Sequence, residues 1–71
     1  MHRTSVSSSN LASIGYDGSQ NTLEVEFLDG SVYQYYGVPS HLYEGLMSAS
    51  SHGTFLSQYI KKGGYNYKKI K

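Results

Sequence analysis

Gly30-Ser31-Val32-Tyr33-Gln34-Tyr35-Tyr36-Gly37-Val38-Pro39 reads as a tyrosine-rich strand entered through a tight turn and left through a proline that opens a helix. Tyr33 and Tyr35 are two apart, so in an extended strand they share one face, while Val32, Gln34 and Tyr36 share the other. Upstream, Leu23, Val25 and Phe27 alternate strictly with Thr22, Glu24 and Glu26, the pattern of a strand with one dry face. Asp29-Gly30 joins the two strands as a hairpin. A two-residue Asp29-Gly30 loop pairs Phe27 with Val32 and sets the two tyrosines beside the glutamates on the wet face. A three-residue Leu28-Asp29-Gly30 loop, with Gly30 left-handed as a bulge, pairs Phe27 with Ser31 and Val25 with Tyr33, and turns both tyrosines to the dry face. The first register buries Gln34 and the second exposes Val32. An unpartnered buried amide costs more than an exposed valine, so the balance favours the bulged register.

Outward from this hairpin, Leu11-Ala12-Ser13-Ile14-Gly15-Tyr16 reads as a first strand, with Ile14 and Tyr16 on one face, ended by the turn formers Asp17-Gly18-Ser19-Gln20-Asn21. Pro39 suits the first turn of a helix, whose apolar face comprises Leu42, Tyr43, Leu46, Met47 and Ala49. Ser51 can cap a second short helix carrying Phe55, Leu56, Tyr59 and Ile60, which Gly63-Gly64 terminates. Tyr65 to Lys71 then supplies a second Tyr-x-Tyr in a C-terminal strand or extended segment. The expected class is α+β: a small antiparallel sheet of three consecutive strands plus that C-terminal candidate, with two short helices on one face.

Seventy-one residues make one domain, and a chain this small buries only about 60 % of its unfolded surface. Without cysteine there is no disulfide framework and no thiolate metal site. Residues 1–9, polar and serine-rich, are expected to be a flexible segment ahead of a single domain over 10–71. The chain has no apolar run of membrane-spanning length and no signal-peptide segment, so it is expected to be soluble and cytoplasmic. Its net charge of +1 hides a separation: Arg3 against five acids leaves −4 over residues 1–50, while residues 51–71 carry five lysines and no acid.

The ordered set Ile14-Gly15-Tyr16-Asp17, Leu23 to Phe27, Gly30, Tyr33-Gln34-Tyr35, Val38-Pro39, Tyr43, Leu46, Ala49 to Gly53, Ile60 and Tyr65-Asn66-Tyr67 resembles the KTSC domain. That family is named for its occurrence at the C-terminus of some lysyl-tRNA synthetases and also occurs as short bacterial proteins. Its signature is a central Tyr-x-Tyr, matched by Tyr33 and Tyr35 and expected to be structural. The resemblance brings a proposed RNA-binding role and no catalytic residues.

The residues point the same way. Lysines supply phosphate charge and exposed tyrosine faces stack on unpaired bases. Lys61, Lys62, Tyr65, Tyr67, Lys68, Lys69 and Lys71 have that composition and form the candidate nucleic-acid contacts. A non-catalytic, RNA-contacting module is the favoured reading. The alternative is a protein-interaction or homodimerisation module using a sheet edge. Enzymatic parts are scattered: His2, His41 and His52 lack metal-ligand spacing, no GxSxG elbow is present, and Glu24 with Glu26 is expected to be a solvated strand face. No metal, cofactor or small-molecule substrate is expected.

Overall fold

In the computed structural model, which describes residues 1–71, the hairpin closes in the bulged register. Leu23 faces Tyr35 and Val25 faces Tyr33 across β3 (Thr22–Phe27) and β4 (Val32–Tyr36). The Phe27 N–H donates to the Ser31 carbonyl at 2.8 Å and Gly30 N–H to the Phe27 carbonyl at 2.9 Å. Gly30 has φ 90°, the left-handed conformation the bulge requires. Asp29 secures the turn, accepting at Oδ1 from the Ser31 N–H (3.0 Å) and hydroxyl (2.7 Å), and those two bonds hold its carboxyl below the usual range.

The sheet has five antiparallel strands in chain order: β1 (Thr4–Ser5), β2 (Leu11–Asp17), β3, β4 and β5 (Tyr67–Lys69). The C-terminal segment is thus a strand, pairing Tyr35 with Tyr67 and Tyr33 with Lys69. An extra strand, β1, lies within the serine-rich segment and pairs with Ser13 and Ile14, ahead of the expected start of the fold at residue 10.

Two helical segments cover one face. Helix α1 (Ser40–Ser48) follows Pro39, which is its extended N-cap (ψ 153°) rather than a residue of the first turn. Helix α2 (His52–Phe55) is capped by the Ser51 hydroxyl, which accepts from the Thr54 N–H at 3.3 Å. It runs on through a π-helical turn, Leu56–Ile60, and a 3-10 turn, Lys61–Gly63, to Gly64, left-handed at φ 80°. A bulge between Leu11 and Ser13 returns Leu11 to the face of Ile14. The core between the layers is Leu11, Ile14, Leu23, Val25, Tyr35, Val38, Leu46, Leu56 and Ile60, each buried side chain worth roughly 1.5–3 kcal/mol over an exposed one. Tyr16 ties strand to helix: its ring stacks on Tyr43 at 4.9 Å and its hydroxyl donates to the Val38 carbonyl at 2.6 Å. Burial and then the Asp17 charge push the Tyr16 phenol up, so it remains a donor.

The opposite face departs from the expectation of a solvated glutamate pair. Glu24 is 5 % exposed and Val32 1 %. Arg3, reaching over the sheet, ion-pairs through Nη1 with Glu24 Oε2 and donates from Nε to Ser13 Oγ at 3.0 Å. The Ser13 hydroxyl donates to Glu26 Oε1 (2.8 Å), Gln34 Nε2 to Glu24 Oε1 (2.8 Å) and the Tyr36 hydroxyl to Gln34 Oε1 (3.0 Å). Burial raises the Glu24 carboxyl, but the Gln34 and Arg3 hydrogen bonds and the Arg3 charge together hold it below its ordinary value. Gly15 admits the strap: a Cβ there would stand 2.6 Å from the His2 carbonyl oxygen. Past the end of β5 the chain keeps pairing beside Val32, with Ile70 N–H donating to the Val32 carbonyl at 2.8 Å and the Val32 N–H to the Lys71 carbonyl at 3.0 Å; alternation puts Ile70 on the Val32 face.

Candidate functional site

Beyond the end of the helical layer, the sheet face carrying Tyr33 and Tyr35 opens into a groove of about 440 Å³ lined by Phe27, Ser31, Tyr33, Tyr35, Lys61, Tyr65 and Tyr67. Three strands supply its floor. Phe27 on β3 meets Tyr33 on β4 edge-on, with centroids 5.7 Å apart, and Tyr67 on β5 tilts against Tyr35 at 5.8 Å and Tyr33 at 6.2 Å. Only the bulged register allows this, since a one-residue slip would carry both tyrosines of β4 to the Arg3 face.

The rings differ in burial. Tyr35 is 4 % exposed and belongs to the core, Tyr33 is half-buried, and Tyr67 is 65 % exposed. The two signature tyrosines are therefore structural and also part of the groove. Of the tyrosine hydroxyls, those of Tyr16 and Tyr36 are spent within the chain, outside the groove. The hydroxyls of Tyr33, Tyr35, Tyr65 and Tyr67 make no hydrogen bond to the chain. No fully buried side-chain polar atom lacks a partner, so the Tyr35 hydroxyl opens into the groove. Burial first, then the neighbouring Tyr33 and Tyr67, push its phenol up and keep it a neutral donor.

The candidate lysines are divided. Lys61 reaches over the groove, Nζ 5.2 Å from the Phe27 centroid, a cation–π contact. Lys69 pairs with Tyr33 and shares its face, but it is not part of the groove lining. Lys68 pairs with Gln34 and projects from the opposite face. Lys62 lines a separate polar hollow with Ser9, Asn10 and Gln58. Lys71 follows Ile70 at the sheet end, its carbonyl accepting from the Val32 N–H. Phe27 and Ser31 were not among the candidates, although the register that pairs them made their position readable. Nothing local in the sequence links Lys61 to Phe27.

No three His, Cys, Asp or Glu side chains come together to hold a metal. His52 is partly buried, its Nδ1 bonded to the Leu46 carbonyl at 2.8 Å near the end of α1.

The family model described as the KTSC domain matches residues 7–69. The chain belongs to the KTSC domain family. It is similar to the KTSC domain protein of Yersinia pestis solved as a crystal structure, with 43 % identity and a TM-score of 0.92 over 99 % of this chain and 97 % of that one. It is 41 % identical to an uncharacterized protein of Stutzerimonas stutzeri over 99 % of both chains. A lysine–tRNA ligase of Trichormus variabilis is 38 % identical over 55 residues, which are 78 % of this chain and 10 % of the ligase. The KTSC domain thus spans nearly the full length of two relatives and a small part of the third. In this KTSC domain no helix is long and apolar enough to cross a membrane.

Proposed function

We propose that this KTSC domain is a non-catalytic module that contacts RNA by stacking an unpaired base in the aromatic groove. The observation that carries the reading is the convergence of Phe27, Tyr33, Tyr35 and Tyr67 from three strands beside a lysine held over the same opening. Aromatic faces stack on any base and cations neutralise its phosphate, which is the general chemistry of single-strand binding. The likeness to a lysine–tRNA ligase, whose name contains an RNA substrate, supports the same class of partner. A non-catalytic role fits the carboxylates: Asp17 and Asp29 tighten turns through Ser19 and Ser31, and Glu24 is held by Arg3 and Gln34.

The sheet-edge alternative has less support. One outer strand is two residues long. The other, β5, carries Lys68 and Lys69, and edge lysines oppose strand addition.

The test is an NMR titration with mixed-sequence single-stranded RNA at about 50 mM salt, where electrostatic binding is strong. Shifts are expected at Phe27, Tyr33, Lys61 and Tyr67, and Tyr67→Ala should weaken binding by roughly 1–3 kcal/mol, the value of one stacked base. Silence across the groove would end the RNA reading. A concentration-dependent mass in sedimentation, with no RNA shifts, would favour self-association.

A further inference from the structure

The RNA reading leaves open how much of a strand is engaged, and the side-chain directions answer that. We propose that the groove takes one nucleotide, its base against Tyr67 and Tyr33 and its flanking phosphates on Lys61 and Lys69, so that the basic C-terminal third does not bind as a continuous track. This inference rests on the RNA reading for its ligand class and adds the size of the site.

Three observations carry it. The groove, at about 440 Å³, lies near the small end of the roughly 300–1,000 Å³ range of ligand pockets, room for one base and its sugar rather than a run of them. Its ring faces come from a single patch, because the other exposed tyrosine, Tyr59, lies elsewhere, tilted against Phe55 with centroids 4.5 Å apart. The charges then decide the direction. Lys68 is on the Arg3 face of the sheet and Lys62 lines a separate hollow, so neither reaches a phosphate next to a base held in the groove. Lys71 lies past the last paired residue of β5, beside Val32 and away from the groove lining. That leaves Lys61, which lines the groove, and Lys69, which pairs with Tyr33. Asp29 lies outside the groove lining, but its carboxylate, kept charged by the Ser31 hydrogen bonds, also feels the Lys69 charge, so Lys61 is the less encumbered of the two lysines. Lys61 over the groove and Lys69 on the same sheet face beside Tyr33 disfavour a cationic guest, which would otherwise suit a cluster of tyrosines. A planar aromatic ring bearing an anion fits both halves of the site.

The experiment compares adenosine, adenosine 5′-monophosphate and an eight-nucleotide RNA strand by NMR titration between about 50 and 200 mM salt. With two phosphate contacts, the slope of log K against log salt for the strand is about −1.4, a loss of about sevenfold across that range. The monophosphate should move the same resonances as the strand, and adenosine should bind more weakly than either. Lys61→Gln should bring the strand's slope to about −0.7, and Lys62→Gln and Lys68→Gln should leave it unchanged. A slope near −3.5, a loss of more than about a hundredfold, would overturn the one-nucleotide site and leave the RNA reading standing, since all five lysines would then meet phosphates. Flattening by Lys62→Gln or Lys68→Gln would do the same. Binding of the monophosphate without the strand would uphold the site and transfer it to free nucleotides. If none of the three probes binds, both readings fall.

Discussion

Glu24→Gln removes one charge from the face opposite the helices and keeps the side chain's shape. The Glu24 side chain is 6 % exposed, with Arg3 on one oxygen and Gln34 on the other. The substituted amide can still accept from Gln34, but it turns a donor toward the guanidinium. A hydrogen bond to a charged group is worth about 1.5–3 kcal/mol, and breaking a fully buried ion pair costs about 3–5 kcal/mol. Arg3, 28 % exposed, keeps Ser13 and approaches Glu26 at 4.0 Å, which moves the expected cost toward the lower figure, about 2 kcal/mol. In a domain of this size that is a fall in Tm of about 8–16 °C. The Glu24 carboxyl is held below its ordinary value of 4.5. Its stabilisation is therefore complete above that value and is lost as pH falls through the folded-state pKa. Urea denaturation of both proteins should show the full gap at pH 7 and a gap that narrows from about pH 5 toward pH 2. Equal midpoints at pH 7, or a gap undiminished in acid, would refute the pairing. Deleting residues 1–3 should cost a similar amount, and adding Glu24→Gln to that deletion should cost little more, because the two act on one contact.

Two further outcomes concern the hairpin and the groove. Gly30→Val should cost about 1–2 kcal/mol in denaturation, since φ is 90° and no atom lies within 4 Å of a Cβ there, leaving the left-handed backbone as the sole source of the loss; an unchanged midpoint would mean that the bulge is absent. Tyr35→Ala should cost about 3–5 kcal/mol and Tyr67→Ala less than about 1 kcal/mol, and a reversal of that order would move the boundary between core and groove.

The hairpin was readable because each of its determinants is local: alternation in Thr22–Phe27, an Asp-Gly turn, and the choice between burying Gln34 and exposing Val32. That choice selected the observed register, although its supposed cost is absent, since Val32 is 1 % exposed, its backbone paired with Ile70 and Lys71 past the end of β5. The Ser51 cap and the Gly64 stop follow from short-range chemistry in the same way. The Arg3 face was not readable. Glu24 sits in a strictly alternating strand, which looks the same whether its polar face meets water or a distant arginine. The serine-rich start has little apolar surface, and what holds it in place is backbone pairing and the Arg3 ion pair, which composition does not reveal. Composition also placed seven residues together as a binding segment, whereas strand alternation divides Lys68 from Lys69, a separation that depends on β5 being a strand and on its register.

The order of the strands also has a kinetic side. Strands β2, β3 and β4 pair with their sequence neighbours through short turns, so their loops close at small entropic cost and early in folding. The β4–β5 seam closes only after both helical segments have been spanned, and every residue of β5 is exposed. The aromatic groove lies across that seam, with Tyr33 and Tyr35 on one side and Tyr67 on the other. Amide exchange in β5 should therefore proceed by local opening at a free energy below that of global unfolding, dismantling the groove while the meander stays intact. A guest touching both sides of the seam would hold the last strand in place, so its affinity and the protection of the β5 amides would rise and fall together.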